Sequence, residues 1–101
     1  MQDEDVIIVD IRSNKEWETT GTIMQSKKIT AFDEEGNFKS TFLDSFQNIA
    51  DFTTKVVFVS KNGDISSVLA NGFAEHLHYK NIYSLKGGIQ EWISLNKPIT
   101  K

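Results

Sequence analysis

The sequence predicts an α/β fold with a mainly parallel central sheet and helices on both faces, that is, three α/β/α layers. Two runs, Val6 to Ile11 and Val56 to Val59, are almost entirely apolar, which is typical of strands buried on both faces of a parallel sheet. The segments around them have helical spacing. Strands that alternate with helices favour crossover connections, and therefore parallel neighbours in the sheet.

The first strand is followed by a predicted helix. Ser13 and Glu16 form the Ser-x-x-Glu pattern of a capping box, which predicts a short helix through Trp17 that stops at Gly21. The polar residues 34–37 predict a turn. A second helix is expected beyond it, because the next apolar residues share one helical face. These residues are Phe38, Phe42, Leu43, Phe46, Ile49 and Ala50.

The strand at 56–59 leads into another crossover helix, for which Asp64 is placed as the N-cap. Its apolar positions again keep helical spacing: Ile65, Val68, Leu69, Gly72, Phe73 and Leu77. Residues 82–85 then predict a short strand, and Gly87-Gly88 predicts a turn. A last helix over 89–95 ends before Asn96 and Pro98, because proline cannot continue it.

The composition is that of one globular domain, residues 1–101, with 39% hydrophobic and 25% charged residues. No repeat or linker-like stretch divides it. The net charge of −3, without a basic cluster, argues against nucleic acid or an anionic membrane as a partner. The longest apolar runs, such as 56–59, are too short for a membrane span or a signal peptide, so we expect a cytoplasmic protein.

The chain has no cysteine, which excludes disulfides, thiolate nucleophiles, persulfide chemistry and zinc–thiolate sites. His76 and His78 are two candidate metal ligands without a third at suitable spacing. We therefore expect solvated histidines at a helix end, with no metal and no cofactor.

The predicted site lies at the carboxyl ends of the strands, where open parallel sheets bind ligands. The segments that meet there are 10–12, 60–64 and 86–88. Asp10 and Arg12 fit two interpretations, either orientation of a substrate or a structural ion pair that fixes the first loop. Gly87 and Gly88 fit a close approach to a ligand and a turn that needs positive φ equally well.

Three motifs in this order resemble the rhodanese-like domains. VIIVDIRSNKEW (6–17) has the apolar strand, Asp-x-Arg and the Glu-aromatic pair; VVFVSKNGDISS (56–67) has a strand that feeds an active-site loop; NIYSLKGGIQEWISLNKPI (81–99) has a Gly-Gly-x-x-x-Trp tail. The resemblance implies the rhodanese-like fold, although residues 24–50 match only in layout. The strand and helix that usually precede Asp-x-Arg have no counterpart, so we expect a shorter variant or part of a longer chain.

Rhodanese-like enzymes carry sulfane sulfur on the cysteine of a Cys-x-x-Gly-x-Arg-Ser loop. The resemblance implies that Ser60 stands at the cysteine position and Gly63 at the glycine position. Ile65 stands at the arginine position, and Ser66 at the serine position. The backbone plan of the loop is therefore kept, while the two residues that carry its chemistry are replaced.

Backbone N–H groups at a helix N-terminus favour anions, which makes the 60–66 segment a candidate anion site. Its residues are Ser60, Lys61, Asn62, Gly63, Asp64, Ile65 and Ser66. Ile65 removes the cation that would clamp an oxyanion, and Asp64 adds a carboxylate that Lys61 only offsets. We therefore expect weak anion binding or none.

Two functions remain as hypotheses. The first is a catalytically inactive rhodanese-like module that binds a protein partner or regulates one. The second is a thiosulfate or persulfide sulfurtransferase whose nucleophilic cysteine is replaced by Ser60. Ile65 and Asp64 favour the first, because a cysteine-to-serine change alone would leave the arginine in place. A serine hydrolase would need a base beside Ser60, and the histidines lie at the far end of a helix about 18 Å long.

Overall fold

The structure, a computed structural model, describes residues 6–100; residues 1–5 and Lys101 lie outside the described part. A four-stranded parallel sheet has the order β2-β1-β3-β4. Its strands are β1 (Val6–Asp10), β2 (Lys27–Lys28), β3 (Lys55–Val59) and β4 (Ile82–Ser84). The two central strands are the two apolar runs predicted from the sequence, and the α/β class with a parallel sheet is confirmed.

The helices are α1 (Asn14–Thr20), α2 (Ser40–Gln47), α3 (Asp64–His76) and α4 (Gly88–Ser94). Side chains of β1 and β3 alternate between the two sheet faces. On one face Val9, Val56 and Phe58 pack with α2 and α3 in the larger core cluster. On the other face Val59 packs with Ile89 of α4. The predicted three layers are therefore present.

Local signals in the sequence set the first helix boundary correctly. The Ser13 hydroxyl accepts from the Glu16 N–H, and the Glu16 carboxylate accepts from the Ser13 N–H, which completes the predicted capping box. Gly21 ends α1 with φ of 79°, a conformation in which glycine avoids the steric penalty of a side chain. The capping box at Ser13 thus fixes the connection between β1 and α1, next to the predicted site.

Other boundaries were predicted wrongly. Asp64 is not the N-cap of α3: Gly63 occupies that position with φ of 96°, and Asp64 is the first helical residue. The side chain that caps this turn is Asn62, whose amide oxygen accepts from the Asp64 N–H at 3.0 Å. The cap lies one residue earlier because the left-handed turn at Gly63 already redirects the chain into the helix.

The second predicted helix, whose apolar face runs from Phe38 to Ala50, is longer than the observed α2. Phe38 precedes α2 and forms an isolated antiparallel bridge with Phe32, and Ile49 and Ala50 follow the helix end. Strand β4 ends one residue earlier than predicted, at Ser84, and helix α4 begins and ends one residue earlier than predicted, at Gly88 and Ser94. Within residues 6–100, no helix is long and apolar enough to cross a membrane.

Candidate functional site

The carboxyl edge of the sheet brings the 60–66 segment against the turn between β4 and α4. The Ile89 N–H donates to the Ser60 carbonyl at 2.9 Å, and the Gln90 N–H donates to the Lys61 carbonyl at 3.0 Å. A Cβ placed on Gly88 would lie 2.6 Å from the Lys61 carbonyl carbon, closer than real Cβ atoms come to backbone. The two loops therefore form one rigid unit, held backbone to backbone.

This contact bears on the two interpretations of the glycine pair. Gly87 and Gly88 have φ of 77° and 61°, and Gly63 on the opposite loop has φ of 96°. A Cβ on Gly63 would lie 3.1 Å from the Gly87 nitrogen. The glycines thus serve a turn with positive φ and also a close approach, but the group approached is the neighbouring loop of the same chain.

Ser60 lies at the end of β3 with 1% of its surface exposed. Its hydroxyl accepts from the Gly63 N–H at 3.2 Å and from the Ser66 N–H at 3.3 Å, and donates to the Ser66 hydroxyl at 2.9 Å. These three bonds use the donor and both acceptor positions that a hydroxyl has. The Ser60 side chain is therefore fully engaged within its own loop.

The hydroxyl network continues to Ser84, a residue that the sequence did not single out. The Ser66 and Ser84 hydroxyl oxygens are 2.6 Å apart, and both hydroxyls lie 3.3 Å from the Gly63 carbonyl oxygen. The network thus ends on a backbone carbonyl, which cannot take up the Ser60 proton as a general base would. Ser84 could have been found from its position, because it closes a strand at the edge where ligands bind.

Asp10 and Arg12 form a buried ion pair at the end of β1. The guanidinium donates to both carboxylate oxygens, with Arg12 Nη2 at 2.9 Å and Nε at 3.0 Å, and Nη1 and Nη2 also donate to Thr20 and to the Gly21 carbonyl. Arg12 therefore ties β1 to the end of α1. The geometry is that of the structural interpretation, because the guanidinium already has partners on all three nitrogens.

An open cleft of about 750 Å³ lies above Ser60. Its walls come from the β1–α1 connection, the turn around Asp33 and Glu34, and the 60–66 segment. Ile65 lines it with 44% of its surface exposed, and Phe32 lines it as well. Charged residues of both signs also line the cleft. They are Lys15, Lys61, Glu16, Asp33 and Glu34.

The two histidines do not belong to this cleft. His76 is the last residue of α3 and His78 follows it, whereas the helix begins beside the loop at Asp64. Thirteen helical residues span about 20 Å, so the imidazoles lie far from Ser60. Across residues 6–100, no group of His, Asp or Glu side chains is arranged to hold a metal ion.

Comparison with known proteins identifies the class to which this fold and loop belong. The model of the rhodanese-like domain family matches residues 1–95. The chain therefore belongs to the rhodanese-like domain family, and it is a member that has no cysteine. No curated protein matches the sequence.

Solved structures agree with this assignment. A protein of unknown function from Rhodopseudomonas palustris CGA009, described as a possible tyrosine phosphatase, is 29% identical with a TM-score of 0.70 over 96% of this chain and 72% of its own. A rhodanese-related protein from Thermoplasma volcanium is 22% identical with a TM-score of 0.72, over 96% and 85%. A Rhodanese_3 like domain from Anabaena sp. is 16% identical with a TM-score of 0.75, over 95% and 99%, so the fold is shared.

Proposed function

We propose that this chain is a catalytically inactive rhodanese-like module that binds a protein partner through the cleft above Ser60. The observation that carries the proposal is the state of Ser60, whose hydroxyl makes three hydrogen bonds inside its own loop. Sulfur transfer by this family needs a thiolate that can hold a sulfane sulfur, and the hydroxyl can neither ionise at neutral pH nor form a persulfide.

The surroundings of Ser60 support the same conclusion. Ile65 presents an apolar side chain to the cleft where the family motif has arginine, and the carboxylates of Glu16, Asp33 and Glu34 line the same cleft. An oxyanion substrate such as thiosulfate therefore lacks the bidentate cation and meets a like charge. The cleft is better suited to an uncharged or mixed-charge surface with an apolar side chain that packs on Ile65 and Phe32.

The catalytic half of the proposal is tested by thiocyanate formation from thiosulfate and cyanide. We expect no turnover by the wild-type chain above the rate without protein, while a cysteine-containing rhodanese assayed in parallel is active. Ser60→Cys alone should stay near background because Ile65 supplies no cation, and Ser60→Cys with Ile65→Arg should exceed it. Turnover by the wild type would contradict the proposal, and an active Ser60→Cys variant would favour a sulfurtransferase that merely has its cysteine replaced.

The binding half is tested with peptides selected from a displayed library on the wild-type domain and measured by calorimetry. Ile65→Glu should weaken their binding at least about tenfold, since it replaces the apolar side chain of the wall with a further carboxylate. Val68→Glu is the matched control, because Val68 is exposed one helical turn further along α3 and does not line the cleft. Equal losses for the two variants would show that the selected peptides do not use the cleft.

Weak anion binding is part of the proposal. Three N–H groups of the loop already donate to side chains of the same loop: Gly63 and Ser66 to Ser60, and Asp64 to Asn62. Few donors remain for a phosphate or sulfate. The amide signals of residues 61–66 should therefore stay unchanged in low-millimolar phosphate, and clear movement of these signals would contradict this part.

The cytoplasmic location predicted from the sequence also stays a prediction.

A further inference from the structure

A second cavity adjoins the cleft above Ser60, on the side of helices α1 and α4. This α1–α4 pocket, about 280 Å³, is lined by Lys15 and Thr19 of α1, by Lys61, and by Ile89, Gln90 and Ile93 of α4. Lys15 and Lys61 also line the cleft, so the two cavities meet at these lysines. A ligand that occupies both cavities therefore passes both lysines.

The free polar groups of the α1–α4 pocket favour an anionic ligand. Across residues 6–100, the ammonium groups of Lys15 and Lys61 have no ion pair, and both residues are exposed. Glu16 lines the pocket too, but its Oε1 atom accepts from the N–H and the hydroxyl of Ser13 in the capping box. The pocket thus offers two unpaired cations, and the exposed Gln90 amide beside them can donate as well.

The other carboxylates of the cleft lie away from this pocket. Asp33 and Glu34 line the cleft but do not line the α1–α4 pocket. Asp33 Oδ1 accepts from the N–H groups of Glu35 and Asn37 at 2.9 Å, so it serves its own turn. The charges are therefore separated over the combined surface, with the cations where the two cavities meet and the carboxylates at the turn.

The position of Lys15 is unfavourable for the stability of α1. Lys15 is the second residue of this helix, and the helix dipole favours acidic side chains over cations in the first turn. No carboxylate offsets this charge within the described part of the chain. Residues that break a local stability rule are expected at functional sites, so Lys15 fits a role in binding better than a role in folding.

We propose that the α1–α4 pocket binds an acidic side chain, Asp or Glu, of the partner segment whose apolar residue packs on Ile65 in the cleft. This inference rests on the proposed function, because the same segment occupies both cavities. The carboxylate lies between Lys15 and Lys61, and its aliphatic stem packs on Ile93, which is 39% exposed. A free anion makes only the exposed ionic contacts and lacks the apolar one, so its binding stays weak.

The test uses a displayed library of heptapeptides with leucine fixed at the centre and six random positions, selected on the wild-type domain. Asp or Glu should be enriched on one side of the leucine. In a resynthesised peptide, replacing this acidic residue by its amide should weaken binding about fivefold or more, as calorimetry measures. The acidic peptide should also move the amide signals of Lys61 and Gln90, in addition to that of Ile65.

Two double variants of equal charge identify the lysines that select the partner. Lys15→Glu combined with Lys61→Glu should remove the difference between the acidic peptide and its amide counterpart. Lys27→Glu combined with Lys80→Glu is the matched control, because both residues are exposed and line neither cavity, and it should leave the difference unchanged. Urea denaturation should show no loss of stability in Lys15→Glu, since a carboxylate suits the first turn of α1.

The outcomes separate this inference from the proposed function. Selected peptides that Ile65→Glu weakens, but that lack acidic residues or bind equally as amides, would overturn the inference and leave the proposed function standing. Peptides insensitive to Ile65→Glu, or a selection that yields none, would contradict both. Equal effects of the two double variants would show that net charge alone attracts the peptide. Dimerisation of the wild type that Lys15→Glu with Lys61→Glu abolishes, measured by light scattering, would instead identify a second copy as the occupant.

Discussion

At the scale of single residues, the hydroxyl of Ser60 stabilises the loop that it occupies. It satisfies two backbone N–H groups, those of Gly63 and Ser66, which turn inward at the start of α3. A buried donor that loses its partner costs about 1–3 kcal/mol, whereas a hydrogen bond at the surface contributes little because water replaces it. The residue that stands at the position of the family's nucleophile thus stabilises the backbone of its own loop in this chain.

We therefore predict that Ser60→Ala lowers the free energy of unfolding by about 2–3 kcal/mol, since the two N–H groups and the Ser66 hydroxyl lose their partner. Urea denaturation measures this change, with an unchanged m value showing that the unfolding reaction is the same. Ser67→Ala is the control, because Ser67 is exposed on the same helix, and its change should stay within about 0.5 kcal/mol. Equal small effects would mean that the Ser60 hydrogen bonds do not stabilise the loop.

Arg12 shows the same division between structure and chemistry. Its guanidinium binds Asp10, Thr20 and the Gly21 carbonyl, and 5% of the residue is exposed. These bonds occupy Nε, Nη2 and one N–H of Nη1, so most of the hydrogen-bonding capacity of Arg12 is used within the chain. The exposed basic residues at the cleft are Lys15 and Lys61.

At the scale of elements, the position of the 60–66 segment depends on the absence of a side chain at Gly88. The backbone of Lys61 and Asn62 lies within 2.6 Å of where a Cβ on Gly88 would be. A side chain there would separate β3 and its loop from the N-terminus of α4, and the bonds from Ile89 and Gln90 would lengthen. The Gly-Gly pair in the tail motif thus determines the shape of a loop more than twenty residues earlier in the chain.

A pair of alanine variants separates this close approach from backbone strain. Gly36→Ala places alanine at φ of 87° with no atom within 4 Å, so it should cost only the strain of the left-handed conformation, about 1–2 kcal/mol. Gly88→Ala adds the collision with backbone at φ of 61° and should cost at least about twice as much. Urea denaturation gives both values. Equal costs would show that the loops separate without penalty.

The amide signals of residues 60–63 give an independent reading of the same pair of variants. They should move in Gly88→Ala, because the Lys61 and Asn62 backbone must shift away from the new methyl group. They should stay in place in Gly36→Ala, where the added methyl group has open space. This comparison remains informative even if Gly88→Ala is too unstable for a complete denaturation curve.

At the scale of the whole molecule, the sequence predicted the features that depend on local pattern or on a dominant apolar signal. The central strands, the capping box of α1 and the family assignment belong to this group. Strand β2 was not predicted, because two lysines at an edge carry no apolar pattern, and its pairing is set by β1. The N-cap of α3 was misplaced because the sequence pattern does not reveal the positive φ of Gly63, which lies against the turn at Gly87.

The candidate site divides in the same way. Its location at the ends of β1 and β3 follows from the rule for parallel sheets, and the residues of the 60–66 segment follow from the family motif. Ser84 was missed because its role depends on β4 lying beside β3, a contact between segments that are distant in sequence. The ion pair of Asp10 with Arg12 is local, but its additional partner Thr20 required the fold of α1.

The hydrophobic clusters on the two faces of the sheet differ in size and in aromatic content. This difference bears on which cluster stabilises the loops around the cleft. Phe46 of α2 is fully buried, and its ring lies 5.2 to 5.9 Å from those of Phe42, Phe58, Phe73 and Tyr79. The smaller cluster on the α4 face centres on Ile23, Val59 and Ile89. We infer that the aromatic cluster supplies most of the apolar stabilisation, and that the loops at the carboxyl edge rest on it through β3 and α3.

Phe46→Ala should therefore lower the free energy of unfolding by about 3–5 kcal/mol, a large share of the roughly 5–15 kcal/mol that stabilises such a domain. Phe52→Ala is the matched control, because Phe52 is 55% exposed and makes a ring contact with Tyr79; its cost should be about 1 kcal/mol or less. Phe46→Leu retains an apolar side chain and should fall between them, which keeps the comparison measurable if the alanine variant unfolds. Similar losses of unfolding free energy for Phe46→Ala and Phe52→Ala in urea would contradict the inference that the aromatic cluster supplies most of the apolar stabilisation. The smaller cluster on the α4 face would then be the next candidate.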